Sequence, residues 1–272
     1  MTDFPLGGAG PADPDQLRDE LTDSKDLQTS LSDLAGLVSG AISLAGLLAQ
    51  VASFAAHAIP GADGAGMTLL RVDRPDNRVD ALAASHPFVA EIDEIQYVTL
   101  NEGPCITAAL ERRTVRSGSL GGEKLWPRFG PRVGRLGIHS ALSLLLLLPD
   151  QVVPVVHVVG AINVYARGKD VFDDRAVVIG ELFAAPAAVA VHNAQVLAQA
   201  LALTTELQNA LHSRPVIDQA IGVIRSRSGA SSDEAFTRLR EISQREHTKL
   251  SDVARQLVDE AVGRARARHS DT

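Results

Sequence analysis

The sequence of 272 residues contains one cysteine, one tryptophan, two tyrosines and four lysines. Because Cys105 is alone, no intrachain disulfide and no cysteine-rich zinc site can form. The only aromatic residue after Phe183 is Phe236, so the C-terminal part lacks a set of rings on which successive nucleic-acid bases could stack. The N-terminal residues lack the basic segment and apolar core of a signal peptide, and a cytoplasmic location is therefore expected.

Negative charge dominates most of the chain. The formal net charge is −7, with 26 Lys and Arg against 33 Asp and Glu. Residues 1–204 hold 15 basic and 23 acidic side chains, whereas residues 205–272 hold 11 and 10. This balance disfavours non-specific binding of nucleic acid by the whole molecule, and it leaves the C-terminal part as the place where a polyanion could bind.

The segment 34–62 contains no Asp, Glu, Lys or Arg and is long enough to suggest a membrane span. Its polar and small residues nevertheless recur at steps of four and three, at Ser39, Ser43, Gly46, Gln50, Ser53 and His57. Such a stripe favours a helix that is buried on most of its circumference over a membrane span. We therefore predict one long helix over Leu27–Ala58, preceded by a disordered tail over residues 1–26, which is rich in Gly, Pro and Asp.

The middle of the chain predicts strands and helices that do not strictly alternate. One hairpin is expected around the turn at residues 74–78, and a second from the apolar runs SALSLLLLLP and VVHVVGAINVYA. A helix should start near Asp173 and run to about His212, bent at Pro186. This order favours the α+β class with an antiparallel sheet and flanking helices.

The C-terminal part predicts three amphipathic helices. In the stretch PVIDQAIGVIRSRSG, Pro215 suits the first turn of a new helix and Gly229 suits its end. Ser231 and Glu234 form a capping-box pattern that opens a second helix, on which the spacing of Phe236 indicates a core position. A third helix should begin near Ser251. Gly222 costs helix stability, so we expect that another helix or an RNA approaches the backbone there.

The segment 213–258 resembles the ANTAR family of RNA-binding antitermination domains. The resemblance is carried by the pattern Ala220-x-Gly222, Glu234-Ala235-Phe236, Leu239-Arg240 and Leu250-x-x-Val253-Ala254. Upstream, PGADGAGMTLL, NEGPC, Trp126-Pro127, HSALSL and GAINVYA resemble the GAF sensor domains that precede ANTAR in actinobacterial regulators. The resemblance thus implies a signal-responsive regulator that binds hairpins in nascent RNA and promotes transcription antitermination.

The two resemblances imply a division of the chain into segments. We expect a GAF-like sensor domain over 27–195, a helical connector with a coiled-coil seam over 196–214, an ANTAR-like three-helix bundle over 215–263 and a basic tail over 264–272. On the connector, Leu197, Leu201, Thr204, Gln208 and Leu211 alternate steps of four and three, which favours the seam of a parallel homodimer. A signal in the sensor could then shift this helical assembly.

The RNA-binding candidates are the basic side chains of the three C-terminal helices: Arg214, Arg225, Arg227, Arg238, Arg240, Arg245, Lys249 and Arg255. They could contact phosphates and stack on unpaired bases. A solvated face with pairs such as Glu241–Arg245 is the alternative. Ile221 stands where relatives often carry lysine, which removes one phosphate contact. A ligand-sensing or protein-interaction module without RNA binding therefore remains the rival function.

Weaker candidates for a small ligand of the sensor domain are Tyr97, Cys105, Trp126, His139 and Asn163. No cofactor is identified, and the histidines lack the spacing of metal ligands. A helix N-terminus could activate Cys105, but a small buried side chain is the favoured interpretation. A GAF-type methionine sulfoxide reductase would need a second, resolving cysteine, so we expect no enzyme activity.

Overall fold

The computed structural model describes residues 14–37, 43–71, 78–149 and 156–270. The chain divides into two compact units, Met1–Ala198 and Gln199–Thr272. The boundary falls inside a long helix, and each unit has hydrophobic core residues of its own.

The first unit is built on a five-stranded sheet. Its strands are β1 (Gly64–Arg71), β2 (Arg78–Ala84), β3 (Val115–Ser117), β4 (Ser140–Pro149) and β5 (Val156–Ala166). They lie in the order β2-β1-β5-β4-β3 with antiparallel pairing throughout. The predicted α+β class with an antiparallel sheet is confirmed, and so is the central hairpin of β4 and β5.

Helices cover both faces of this sheet. One face packs against α1 (Pro14–Gly36), α2 (Leu44–Ala58) and the first part of α6 (Asp174–Ser228). The other packs against α3 (Pro87–Asp93), a π-helix (Glu94–Leu100), α4 (Pro104–Glu111) and α5 (Phe129–Gly134). Since side chains alternate along a strand, Ile162 and Val164 of β5 enter the first core, whereas Ala161 and Tyr165 enter the second.

The single helix predicted over Leu27–Ala58 is wrong, because α1 ends at Gly36 and α2 begins only at Leu44. Ser43 starts α2 by accepting a hydrogen bond from the Gly46 N–H at 3.2 Å, a normal N-cap. The polar positions Gln50, Ser53 and His57 are at least partly exposed, whereas six apolar side chains of α2 are buried. The interpretation of this stretch as a buried helix is therefore confirmed for α2.

Residues 14–26 are helical, where composition favoured disorder, and residues 1–13 lie outside the described part of the chain. Tertiary contacts explain the difference. Arg175 forms an ion pair with Asp23 at 2.8 Å and donates a hydrogen bond to the Asp19 carbonyl at 3.1 Å. Further along the helix, Leu34 is buried in the first core, so an apolar face holds a segment of weak helix propensity.

The helix α6 extends to Ser228, well beyond the predicted end near His212, and it continues through Pro186 and Pro215. The prediction that Pro215 begins a new helix is therefore wrong. Both proline residues are exposed, so the carbonyls that their rings displace can tilt toward water. Among the described residues, α6 is also the one helix long and apolar enough to span a membrane, but half of its apolar window is buried inside the protein.

The second unit adds two helices to the end of α6: α7 (Ser232–Glu246) and α8 (Leu250–Ser270). Its core is small, with Ala220, Leu239, Val253 and Ala254 buried. Gly229 directly follows α6 and has a φ of +69°, the left-handed conformation with which glycine commonly ends a helix. The predicted capping box of α7 is confirmed, since Ser231 accepts from the Glu234 N–H and Glu234 accepts from the Ser231 N–H.

Candidate functional site

A cluster of polar side chains lies buried in the second core of the first unit, between the sheet and the helices α3 and α4. We call it the buried polar cluster; its members are Thr68, Asp93, Gln96, Tyr97, Cys105, Ser143, Asn163 and Tyr165. Such groups lose hydration when the chain folds, so each needs a partner inside the protein.

Asn163 is the centre of the hydrogen bonds in this cluster. Its amide nitrogen donates to the Tyr97 hydroxyl at 2.9 Å and to the Thr68 hydroxyl at 3.4 Å. Its amide oxygen accepts from the Ser143 hydroxyl at 2.9 Å. The Tyr97 and Thr68 hydroxyls are themselves 3.0 Å apart. This network joins β1, β4 and β5 to the π-helix.

Register and helix spacing bring these residues together. On the sheet, Asn163 pairs with Ser143 of β4 and with Gly66 of β1. On the helical side, Gln96 and Tyr97 follow Asp93 by three and four residues, so all three side chains lie on the same side of this helical segment. Gln96 then accepts a hydrogen bond from the Cys105 N–H at 3.1 Å, which connects the π-helix to the start of α4.

Asp93 is the most unusual member of the cluster. Its side chain is buried, and neither carboxyl oxygen has a hydrogen-bond partner. Burial raises the pKa of Asp93 to about 8, and the neighbouring Tyr165 hydroxyl offsets this effect only in part. The group is consequently a neutral acid near pH 7, able to donate one hydrogen bond as well as accept others.

Two further buried groups lack partners: the amide nitrogen of Gln96 and the hydroxyl of Tyr165. Together with Asp93, they offer hydrogen-bond donors and acceptors inside an otherwise apolar core. A buried unsatisfied polar group costs about 1–3 kcal/mol. Since the Tyr165 hydroxyl neighbours both Asp93 and Gln96, the three groups form one polar centre in this core.

Cys105 has the opposite character from an activated thiol. It lies at the start of α4 but is fully buried. Burial raises the pKa of Cys105 to about 12, although the Tyr97 hydroxyl works in the other direction. The thiol therefore stays protonated at neutral pH. In this form it is not a good nucleophile, because the thiolate is the reactive species. The interpretation of Cys105 as a buried residue agrees with this geometry.

Of the five predicted ligand residues, Tyr97, Cys105 and Asn163 lie in the buried polar cluster. Trp126 lies in the same core, but its indole N–H donates to the Thr107 hydroxyl at 2.9 Å rather than to a member of the cluster. His139 is half-buried just before β4 and joins it through its backbone N–H, which donates to the Ala166 carbonyl. Sequence reasoning missed Asp93, Gln96 and Tyr165; the helical spacing of the first two was the available signal. Within the described ranges, no group of three or more potential ligands could hold a metal ion.

The second unit carries all eight predicted RNA-binding residues. Arg245 forms an ion pair with Glu246 at 3.2 Å, and Arg255 with Asp252 at 3.3 Å. The predicted Glu241–Arg245 pair is not formed. Among the described residues, no carboxylate lies within salt-bridge distance of Arg214, Arg225, Arg227, Arg238, Arg240 or Lys249. These cations are consequently open to an outside anion.

Phe236 differs from its prediction, because 39% of its surface is exposed where a core position was expected. The reason is that Ala235 and Leu239 already fill the contact of α7 with this small core. Phe236 lies one turn before Arg240 on α7, so an aromatic ring and a guanidinium share one side of the helix. Both groups can stack on a nucleic-acid base.

Among the described residues, no other helix makes a close contact at Gly222. It is exposed, and a Cβ atom built there would meet no atom within 4 Å. The prediction of a helix approaching at Gly222 is therefore wrong for the part of the chain that is described. Arg214, Ile221 and Arg225 follow on the same side of α6 at helical spacing, together with Asp218, so the surface beside Gly222 carries two cations and one carboxylate.

The chain thus consists of an α+β domain with a buried polar cluster, followed by a helical unit with exposed cations. The chain belongs to the GAF domain family, whose model matches residues 41–192, and the ANTAR domain model matches residues 205–258. It is thus a GAF domain followed by an ANTAR domain. The actinobacterial type stays a prediction. No curated protein matches the chain.

The chain is also similar to solved GAF structures. The GAF domain of a phosphoenolpyruvate-protein phosphotransferase from Coxiella burnetii is 16% identical, with a TM-score of 0.47 over 66% of this chain and 98% of that one. Its counterpart from Acinetobacter is 16% identical, with a TM-score of 0.46 over 64% and 97%. A free methionine-R-sulfoxide reductase from Neisseria meningitidis, solved with its substrate, is 13% identical, with a TM-score of 0.47 over 63% and 91%.

Proposed function

We propose that this protein is a signal-responsive cytoplasmic regulator that binds RNA hairpins through its ANTAR domain and so promotes transcription antitermination. The GAF domain senses the signal, and α6, which is shared by both units, transmits it. The chain has no catalytic role in this proposal, in keeping with a buried thiol whose pKa is raised to about 12.

The observation that carries RNA binding is the set of cations on the second unit that lack acidic partners. Six of the eight candidate side chains form no salt bridge among the described residues, although the hydrogen bonds from Ser231 and the charge of Arg238 lower the pKa of Glu234. An unpaired arginine can give its full hydrogen-bonding capacity to phosphate or to the edge of a base. The exposed ring of Phe236 adds a stacking surface for one unpaired loop base.

The buried polar cluster supports the sensing half of the proposal. Asp93, Gln96 and Tyr165 present unsatisfied polar atoms in the core beside the π-helix. Functional sites often contain such a π-helical segment. A signal molecule with both donors and acceptors would satisfy these atoms and change the packing of the helices above the sheet.

RNA binding can be tested with a labelled RNA of two paired hairpins, measured by filter binding at fixed salt. We expect the double variant Arg225→Ala with Arg240→Ala to bind at least about tenfold more weakly than the wild type, because two open phosphate or base contacts are removed. Arg132→Ala, which removes the same kind of charge from the first unit, is the control. Unchanged binding by the double variant would contradict this assignment of contacts.

The rival function is a ligand-sensing or protein-interaction module without RNA binding. Ile221 and Asp218 favour it, because they place an apolar and an acidic side chain between Arg214 and Arg225. Crosslinking in cells followed by sequencing separates the two functions. Enrichment of paired hairpins ahead of terminators supports the regulator, whereas no enriched RNA supports the rival.

A further inference from the structure

The strand β4 is paired on one side only over half of its length. It pairs with β5 from end to end, but β3 reaches only residues 141–143 on the other side. The residue before β3, Thr114, is held at α6 instead, where its hydroxyl donates to a Glu181 carboxyl oxygen at 2.7 Å. Residues 144–148 are consequently an edge of the sheet, which we call the β4 edge.

The backbone of the β4 edge has unused hydrogen-bonding groups. In an antiparallel strand, every second residue directs its N–H and C=O toward the neighbour on the same side. None of the described hydrogen bonds joins the backbone of residues 144–148 to anything but β5. Such a row of free donors and acceptors is a template for another strand.

The sequence of the β4 edge lacks the charged residues that normally protect an exposed strand. Residues 144–148 are five consecutive leucines. The opposite edge strand, β2, has the sequence RVDALAA and so contains Arg78 and Asp80. Charged residues on an edge strand discourage pairing with other chains. The sheet is therefore protected by charge at one edge and suited to a further strand at the other.

A groove runs beside the β4 edge, between this strand, α6 and the residues just before β3. It holds about 560 Å³ of empty space, and its lining combines leucines of β4, alanines of α6 and three polar residues. The polar residues already have partners, since Arg113 pairs with Glu111 and Thr114 donates to Glu181. The groove has one cation and one anion and thus no excess charge, so it complements an uncharged occupant.

We propose that the β4 edge binds an extended, uncharged peptide segment of a partner protein, which adds a sixth strand to the sheet in line with β3. Backbone hydrogen bonds to residues 144–148 provide the affinity, as in other cases of strand addition. Apolar, β-branched side chains of the peptide pack in the groove beside α6, because such residues favour strands.

The shape of the groove and the composition of the chain argue against two other occupants. The β4 edge lies at the floor of a groove with α6 as one wall, and two edges recessed in this way cannot approach to the spacing of paired strands, about 4.8 Å. A second copy of this edge is therefore a poor fit. Residues 1–13 of the chain are rich in Gly, Pro and Asp, which are depleted in strands.

The first test measures binding of two dye-labelled peptides of alternating valine and threonine to the full chain by fluorescence anisotropy. One peptide is N-methylated on every second residue and keeps a complete row of N–H groups along one side; the other is methylated on every residue. We expect the first to bind and the second to bind at least about tenfold more weakly, because about three ladder hydrogen bonds are lost. Equal binding of the two peptides, or no binding of the half-methylated one, would overturn the proposal.

The second test places a charge in the groove. Leu147, which lines it, is 38% exposed, and Leu82 on the opposite edge strand β2 is 42% exposed, so the two form a matched pair. Leu147→Lys should weaken binding of the half-methylated peptide at least about tenfold, because the strand would bury the new ammonium group. Leu82→Lys should bind like the wild type, and both variants should keep the far-UV CD spectrum. Equal binding by the two variants would count against the β4 edge.

Two further measurements identify a different occupant. A mass that halves in Leu147→Lys but not in Leu82→Lys, measured by light scattering, would assign the edge to a second copy. Tighter peptide binding after deletion of residues 2–13 would assign it to the N-terminal segment of this chain. Either result would overturn the proposal. None of these measurements uses RNA, so their outcome is independent of the proposed RNA binding.

Discussion

Asp93 should make the stability of the sensor domain depend on pH. An exposed aspartate in the unfolded chain has a pKa of about 3.9, whereas burial raises the folded value to about 8. Between these values the folded state binds the additional proton, so the free energy of unfolding falls as pH rises through this window and is highest at its acidic end.

The substitution Asp93→Asn should remove much of this dependence. We expect urea unfolding of the wild type to shift to lower midpoints between about pH 5 and pH 8, and the variant to shift less, because an amide carries no charge to bury. Glu91→Gln on the same helix, where the side chain is exposed, is the control. A variant with the same pH dependence as the wild type would show that Asp93 does not titrate in this range.

Phe236 should contribute to RNA affinity rather than to folding. Phe236→Ala is expected to weaken hairpin binding by about 1–3 kcal/mol, the usual value of one base stacked on a ring, while the thermal midpoint changes little because the ring is 39% exposed. Phe236→Leu keeps an apolar side chain without the ring and should lose nearly as much affinity. Full binding by either variant would remove Phe236 from the RNA surface.

At the residue scale, the sequence did not predict the role of Asp93 or the exposure of Phe236. Tyr97, Cys105 and Asn163 could be chosen from short motifs, but Asp93 becomes significant only when the strand register brings its neighbours together beneath α3. Phe236 has core spacing, yet a three-helix unit with so small a buried core has too little interior to enclose it. Whether a side chain is buried depends on the packing of the whole unit, and helical spacing alone does not determine it.

At the scale of elements, the capping box of α7 is the clearest contribution to local stability. Ser231→Ala removes the hydrogen bond to the Glu234 N–H at 3.3 Å and should cost about 1 kcal/mol. Hydrogen exchange of the first turn of α7 should then accelerate by about fivefold. Ser232→Ala, one residue later, is the control and should exchange like the wild type; equal exchange in both variants would assign the cap no energetic role.

Elements were predictable where local signals are strong. The hairpin of β4 and β5, the capping box and the end of α6 near Gly229 all follow from patterns of a few residues. The long helices were not bounded correctly. A proline usually interrupts a helix, but Pro186 and Pro215 lie on exposed positions where the backbone can adjust. Likewise, α1 extends over a polar segment because Arg175 and the first core hold it in place.

For the whole molecule, RNA binding should depend strongly on salt. The chain carries a net charge of −7, so attraction must come from the local cations of the second unit. Removing one phosphate contact should reduce the slope of log K against log salt by about 0.7. Arg225→Ala and Arg240→Ala are expected to flatten this slope additively, and Arg132→Ala to leave it unchanged. A wild-type slope near zero would mean that binding is not electrostatic.

The two-part architecture was the most predictable feature at this scale. Composition separates an acidic N-terminal part from a balanced C-terminal part, and the motif resemblances agree with the matched domains at 41–192 and 205–258. The exposed apolar side chains of α6, such as Val178, Leu182 and Val189, were not predicted, since they are recognised only once the sheet-facing side of the helix is known. A sequence pattern gives the period of a helix, but the fold decides which side is already occupied.

Because Cys105 is buried, the rate at which a thiol reagent modifies it measures local opening of the protein. A thiol reagent can modify this side chain only when the helices over the second core open, and opening is a local event with its own equilibrium. The modification rate, divided by that of the unfolded chain, then gives the fraction of molecules that are open. A compound that occupies the neighbouring polar atoms would slow this modification, so candidate signals could be screened on the unlabelled wild-type protein.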